Sequence, residues 1–202
     1  MIKAAVEIFS DRGLEAASTR EIAKLAQTNL VSISYYFGSK LGLYRAAAEF
    51  IVSDIAKRFW PLCERSREGL LNPNLTPDET LSMFIEFMVE CAHVMMGADT
   101  ASLWGHLNCH KQFEASEAID IMNERFAPIF EAGNAFVSRL TRRPVDSVEV
   151  RLQFLGILSM IEFTRIGRAS VLRVLGWGSI GTEESQIVED VLRRNLHLLF
   201  AE

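Results

Sequence analysis

The sequence predicts an all-α protein, and three observations carry that expectation. Proline is scarce (5 in 202 residues) and glycine modest at 12, so long stretches pass without a turn signal. Those stretches are rich in Ala, Leu, Glu, Arg and Met, which enter helices at little cost. Apolar residues recur at spacings of three and four, and no run alternates as a half-buried strand would. With 49% hydrophobic residues the chain can fill a core, which excludes wholesale disorder.

The elements follow in order. A first helix is expected over Ile2–Arg12, with Ala5, Ile8 and Phe9 on one face and Gly13 as its stop. Ser18 or Thr19 caps a second helix, and Ser18-Thr19-Arg20-Glu21 has the spacing of a capping box. Ile22, Ala23 and Ala26 form its small inner face. Gln27-Thr28 is a short joint, Asn29 caps a third helix over Leu30–Phe37, and Gly38-Ser39 ends it. A fourth helix starts near Lys40 and is expected to reach Trp60, where Pro61 blocks or bends it. The stretch from Gly69 to Asp78 is the clearest loop. Further helices are expected over Glu79–Met96, about 100–110, about 116–140, Ser147–Arg168 and about Glu183–Phe200. The short helices and tight joints of residues 1–47 form one domain, and residues 48–202 a larger helical one.

Several classes are excluded. No apolar run reaches the length of a membrane span, and Ile2–Phe9 reads as an amphipathic helix rather than a signal peptide. Cys63, Cys91 and Cys109 are odd in number and widely spaced, so they make no disulfide framework and suit a reducing cytoplasm. No nucleophile–base set, phosphate loop or catalytic carboxylate pair can be picked out. The glycines from Gly176 to Gly181 follow a helix rather than a strand, against a dinucleotide site. The net charge of −5 divides unevenly: residues 1–47 carry +2 and the remainder −7. A mildly basic head on an acidic body suits a head that meets phosphate.

The third helix, LVSISYYF, explains its own adjacent tyrosines. On a helical wheel Ile33 and Phe37 stack on one face with Leu30 near them. Val31, Ser32 and Tyr35 point the opposite way, and Ser34 and Tyr36 lie on the flanks. An outward face of Val, Ser and Tyr without a charge suits a helix laid in the major groove of DNA. There a valine methyl meets a thymine methyl, serine reaches base edges and phenols reach phosphate. Thr19 and Arg20 open the second helix and can clamp the backbone, and Asn29 stands at the entrance to the reading helix. Lys40 opens the fourth, where its charge favours phosphate. A plain helical subdomain with the tyrosines at a protein interface is the other reading of the same residues.

From these residues a family resemblance emerges. "AAVEIFSDRGLEAASTREIAKLAQTNLVSISYYFGSKLGLY" resembles the DNA-binding domain of the TetR family of bacterial repressors. Ala5, Phe9, Gly13, Thr19, Ile22, Ala23, Ala26, Ile33, Tyr36, Phe37, Lys40 and Leu43 match the family pattern in place. "AQTNLVSISYYFGSK", and less specifically "LRVLGW" before the final helix, are similar to the CecR-like branch. The family's usual Gly-Val turn is Gln27-Thr28 here, and its usual tyrosine after the apolar core residue is Ser34. The sequence begins almost inside the first helix, ahead of which the family usually carries a short basic arm.

The resemblance implies a TetR-like architecture: a helix-turn-helix head, then a helical ligand-binding and dimerisation domain. It implies a homodimer on double-stranded DNA, joined through the last two helices, about 147–168 and 183–200. It also implies a small hydrophobic or amphipathic effector, held among Phe84, Phe87, Met88, Cys91, Met95, Trp104, Phe126 and Phe130. The plainer reading of those side chains is core. Glu162 is read as the partner of Arg165 rather than as a ligand group. His106 and His110 share a helix face beside Cys109, but two ligands make no zinc site, so neither a metal nor another cofactor is expected. The expected function is a cytoplasmic regulator, a repressor released from a palindromic operator by its effector. The alternative is a helical ligand-binding protein or small enzyme with a vestigial head.

Overall fold

A computed structural model describes residues 1–97 and 116–200, and every regular element among them is a helix. In chain order these are α1 (Ile2–Ala16), α2 (Thr19–Leu25), α3 (Leu30–Phe37), α4 (Lys40–Leu70) and α5 (Pro77–Met96). They continue as α6 (Ser116–Thr141), α7 (Val148–Ile166), α8 (Arg168–Leu175) and α9 (Thr182–Phe200). None of them is long and apolar enough to cross a membrane. The expected helix at 100–110 lies outside the described residues. The described residues fall into two compact units, 1–57 with 116–125, and 58–97 with 126–200.

The first unit is built on small and β-branched residues. Ala5, Phe9, Ala17, Ile22, Ala23, Ile33, Leu43 and Ala47 form one buried cluster that joins α1, α2, α3 and the start of α4. Phe9 meets the ring of Tyr44 edge to face at 5.1 Å. Gly13 breaks the α1 geometry as expected, at φ 73, yet the chain resumes helical turns to Ala16. Within the same unit Arg125 reaches Glu49 at 2.9 Å.

The second unit has an aromatic interior. Phe84, wholly buried, stacks on Phe136 at 5.3 Å and also meets Phe154 and Phe200. Phe87 adds a second contact to Phe136. Full burial of such rings stabilises by about 1.5–3 kcal/mol each. The loop before α5 is fixed from two sides. Thr76 and Glu79 exchange both bonds of a capping box, and these bonds hold the Glu79 carboxyl below its usual range. Arg139, near the end of α6, donates to the carbonyls of Leu70, Asn72, Pro73 and Leu75.

Two expected boundaries are corrected. α4 does not end at Trp60 but passes through Pro61 to Leu70. Proline in a helix removes one hydrogen bond and costs about 3 kcal/mol. Phe59, Leu62, Cys63 and Ser66, all buried around it, offset that cost. The segment expected to be one helix over Ser147–Arg168 is α7, interrupted at Gly167 and followed by the separate α8. Gly176 then closes α8 in the left-handed region at φ 69.

Cys63 and Cys91 are both buried, and burial pushes the Cys63 thiol up to about 11 and the Cys91 thiol well above its ordinary value. The folded chain therefore keeps these protons while the unfolded chain releases them. Stability from this source is present below about pH 9 and is lost as pH rises towards about 11. Urea titrations across that range should show the loss, and Cys63→Ala with Cys91→Ala should flatten it.

Candidate nucleic-acid interface

The expected bounds of the reading helix hold: α3 spans Leu30–Phe37. Asn29 caps it, its side-chain oxygen accepting from the Val31 N–H at 3.0 Å. Gly38, at φ 72, ends it. Ile33 is 2% exposed and is its one fully buried residue, with Phe37 half-buried beside it. Opposite them stand Val31, Tyr35 and Tyr36, with exposures of 69%, 80% and 70%. Ser34 is exposed, and Ser32 is half-buried with its hydroxyl 3.5 Å from that of Thr28.

Leu30, expected near the inner face, is exposed instead. It sits in the first turn, which the Asn29 cap ties down. Tyr36 stands further out than a flank position suggests, because its ring packs edge to face on Tyr35 at 4.9 Å. The two phenols thus form one projecting aromatic pair.

The cations divide by what they touch. Arg20 and Lys24 are exposed, four residues apart on α2, and neither side chain forms an ion pair with a described residue. Lys24 was missing from the sequence-based set, although its spacing from Arg20 places both on one helix flank. Thr19 is half-buried in the first turn of α2, behind the Ser18 cap. The expected capping box does not close. Glu21 instead binds Arg12 of α1 at 2.7 Å, and that bond raises the Arg12 pKa. Lys40 is also engaged: its ammonium donates to the Glu15 carbonyl in the last turn of α1, at 2.9 Å. A cation there satisfies an orphan carbonyl and complements the helix dipole.

The residues expected around an effector are interior ones. Phe84, Phe87, Met88, Cys91, Met95 and Phe126 are buried, and Phe130 is half-buried against Phe154. Phe126 packs on Phe59 at 6.2 Å. Trp104 lies outside the described residues, as do His106, Cys109, His110 and Phe113. No group of three or more potential metal ligands occurs among the described residues. His93, two residues from Cys91, bonds instead to the buried Glu189 of α9. Glu162 interacts within the protein, while the side chain of Arg165 lies outside the described residues.

α7 and α9 carry apolar residues on more than one side. Phe154, Ile157 and Ile161 of α7 are buried, while Val148, Leu152, Leu155, Met160 and Phe163 are exposed at spacings of three to five. On α9 Leu192 and Leu196 are buried, and Ile187, Val191, Leu198 and Leu199 are exposed.

Comparison with known proteins bears on the same two segments. Residues 1–47 match the family described as bacterial regulatory proteins, tetR family. Residues 77–202, more than half the chain, match that described as the C-terminal domain of the HTH-type transcriptional dual regulator CecR. The chain belongs to the TetR family of bacterial transcriptional regulators, in its CecR branch. It is 24% identical to the dual regulator CecR of Shigella flexneri over 98% of this chain and 89% of that protein. Over 67% of this chain and 62% of the other it is 28% identical to the transcriptional repressor NicS of Pseudomonas putida.

Solved TetR-type structures share the fold. One from Mesorhizobium loti has a TM-score of 0.65 at 15% identity, covering 98% of this chain and 93% of that one. FadR of Bacillus subtilis, solved with stearoyl-CoA, has a TM-score of 0.54 at 17% identity, covering 99% and 96%. The TetR head here is a DNA-binding helix-turn-helix, formed by α2 and α3.

The Lys40 contact makes a prediction for this head. Lys40→Ala should lower its stability by about 1 kcal/mol, the usual worth of one such hydrogen bond, in urea unfolding. Unchanged stability would mean that the bond to Glu15 contributes nothing.

Proposed function

We propose that this TetR-family protein is a homodimeric repressor that binds a palindromic operator through α3 and leaves it when a small hydrophobic or amphipathic effector binds. Residues 1–47 are its DNA-binding domain and residues 48–202 its effector-binding and dimerisation domain, and it works in the cytoplasm, where its DNA lies. The observation that carries this reading is the outer face of α3, where Val31, Tyr35 and Tyr36 are held in water with no charge among them. Such a face is costly in a helix with no partner and suited to the major groove. Val31, Ser32, Ser34 and Tyr35 read base edges, with Leu30 beside them. Thr19, Arg20, Lys24, Asn29, Tyr36 and Lys40 serve the phosphates, and Lys40 does so from its seat on α1.

Support for the dimer comes from α7 and α9. Each carries exposed apolar residues beyond those it buries in its own unit, a surplus suited to a partner helix, and copies of these two helices from two chains would form a four-helix bundle. Support for an apolar effector comes from the Phe- and Met-rich interior around α5, which can re-pack around a ligand. Stearoyl-CoA, held by the FadR structure, is a ligand of that amphipathic kind. α4 is the natural lever, since it belongs to the reading head and continues past it. Pro61 cannot donate to the Lys57 carbonyl, so the helix lacks one backbone hydrogen bond there. The name of the CecR relative, a dual regulator, favours a second reading in which the protein also activates from some sites.

Selection of genome fragments by the purified protein at physiological salt tests the regulator reading, and one recovered palindrome is the expected result. Recovery of nothing above background would sink it. On the recovered site Tyr35→Ala should change the preferred base by about tenfold, the scale of 1–3 kcal/mol for one base contact. Equal weakening on every sequence would make Tyr35 a backbone contact instead.

A further inference from the structure

The joint between α2 and α3 holds a residue whose backbone does not suit its side chain. Gln27 has φ 51, in the left-handed region that favours glycine. The geometry is that of a glycine-closed helix end. The Gln27 N–H donates to the Lys24 carbonyl, and the Thr28 N–H reaches back to that of Ala23 at 2.9 Å. Glycine would close this turn with less strain, so the glutamine is there against the local preference of the backbone.

Nor does any described residue explain the side chain. Gln27 is exposed, and its amide makes no hydrogen bond to any described residue. Arg142, the other non-glycine residue at positive φ among the described residues, does interact within the chain. A strained position with an unused polar group points outward, to a partner.

The fold says which partner. In a helix-turn-helix the first helix crosses the DNA backbone and the second enters the major groove, so the joint passes the groove wall. Gln27 lies three residues after the exposed Lys24 and two before the Asn29 cap of α3. We propose that Gln27 is a DNA-contacting residue of this regulator, its side-chain amide donating to a phosphate beside the reading helix. The contact positions α3 in the groove and reads no base. This inference rests on the DNA-binding reading above.

The test uses the full chain and the DNA duplex that wild-type protein recovers by selection, with a scrambled duplex of equal length beside it. Binding is followed by fluorescence anisotropy. Gln27→Met keeps the length of the side chain and its backbone strain but removes the amide. It should weaken binding about fivefold on both duplexes alike. Gln27→Gly should weaken binding to a similar extent while its melting temperature stays level or rises by about 2 °C, which separates loss of contact from loss of fold. Gln27→Lys should bind at least as well as wild type and steepen the salt dependence. A Met variant that binds like wild type overturns the contact, and so does weakening confined to the selected duplex. A selection in which wild-type protein recovers no duplex sinks the regulator reading itself, a result distinct from the other two.

Discussion

The reading surface depends on how Ile33 is seated. α3 is short, and Ile33 is its one fully buried residue, set into the cluster that α1, α2 and α4 build from Phe9, Ile22, Ala23 and Leu43. Burying one isoleucine stabilises by about 1.5–3 kcal/mol, a large share of what holds so short a helix. It also sets the rotation. A turn of one residue would carry a serine into the cluster and move Val31 and Tyr35 off the outer face. The Asn29 cap and the left-handed Gly38 then fix where the helix begins and ends. Position and rotation together decide which side chains meet DNA, so the chemistry outside is set by one apolar contact inside.

The supports around that contact are electrostatic and lie at the ends of helices. Arg12 ties α1 to α2 through Glu21, and Lys40 ties the start of α4 to the last turn of α1. Both bonds are at least partly exposed, so each contributes modestly, and screening by salt weakens them further. What they add is orientation. Lys40 has given one hydrogen bond to Glu15, and an ammonium has three donors, so it can hold α1 and meet a phosphate together. On the proposed reading, the same lysine stiffens the head and marks where the DNA backbone comes to rest.

Much of this was legible in the residues. The bounds of α3, the outward valine and tyrosine, and the breaks at Gly13 and Gly38 follow from spacing and from glycine's access to positive φ. What escaped depended on partners far along the chain. Nothing local to Glu21 reveals Arg12, nine residues earlier, as a competitor for its carboxylate. Nothing near Lys40 reveals the carbonyl of Glu15, twenty-five residues away. Pro61 misled for the same reason, since the burial of Phe59, Leu62 and Cys63 that carries α4 through it is tertiary. Lys24 is legible from its spacing alone, since four residues from Arg20 puts both on one flank of α2.

The interior of the second unit sets terms for any effector. Its candidate lining is not idle surface: Phe84 touches three other rings, and Phe87, Met88 and Cys91 are buried with it. On the proposed reading a ligand must part some of these contacts, so its observed affinity is its intrinsic affinity reduced by the population of the opened state. An apolar or amphipathic molecule restores most of what it displaces, because ring–ring contacts become ring–ligand contacts at similar density. A strongly polar one would leave its own groups unpaired there. Induction then has a ceiling. The effector can shift the reading heads only by the difference between its affinities for the closed and opened interiors, however tightly it binds.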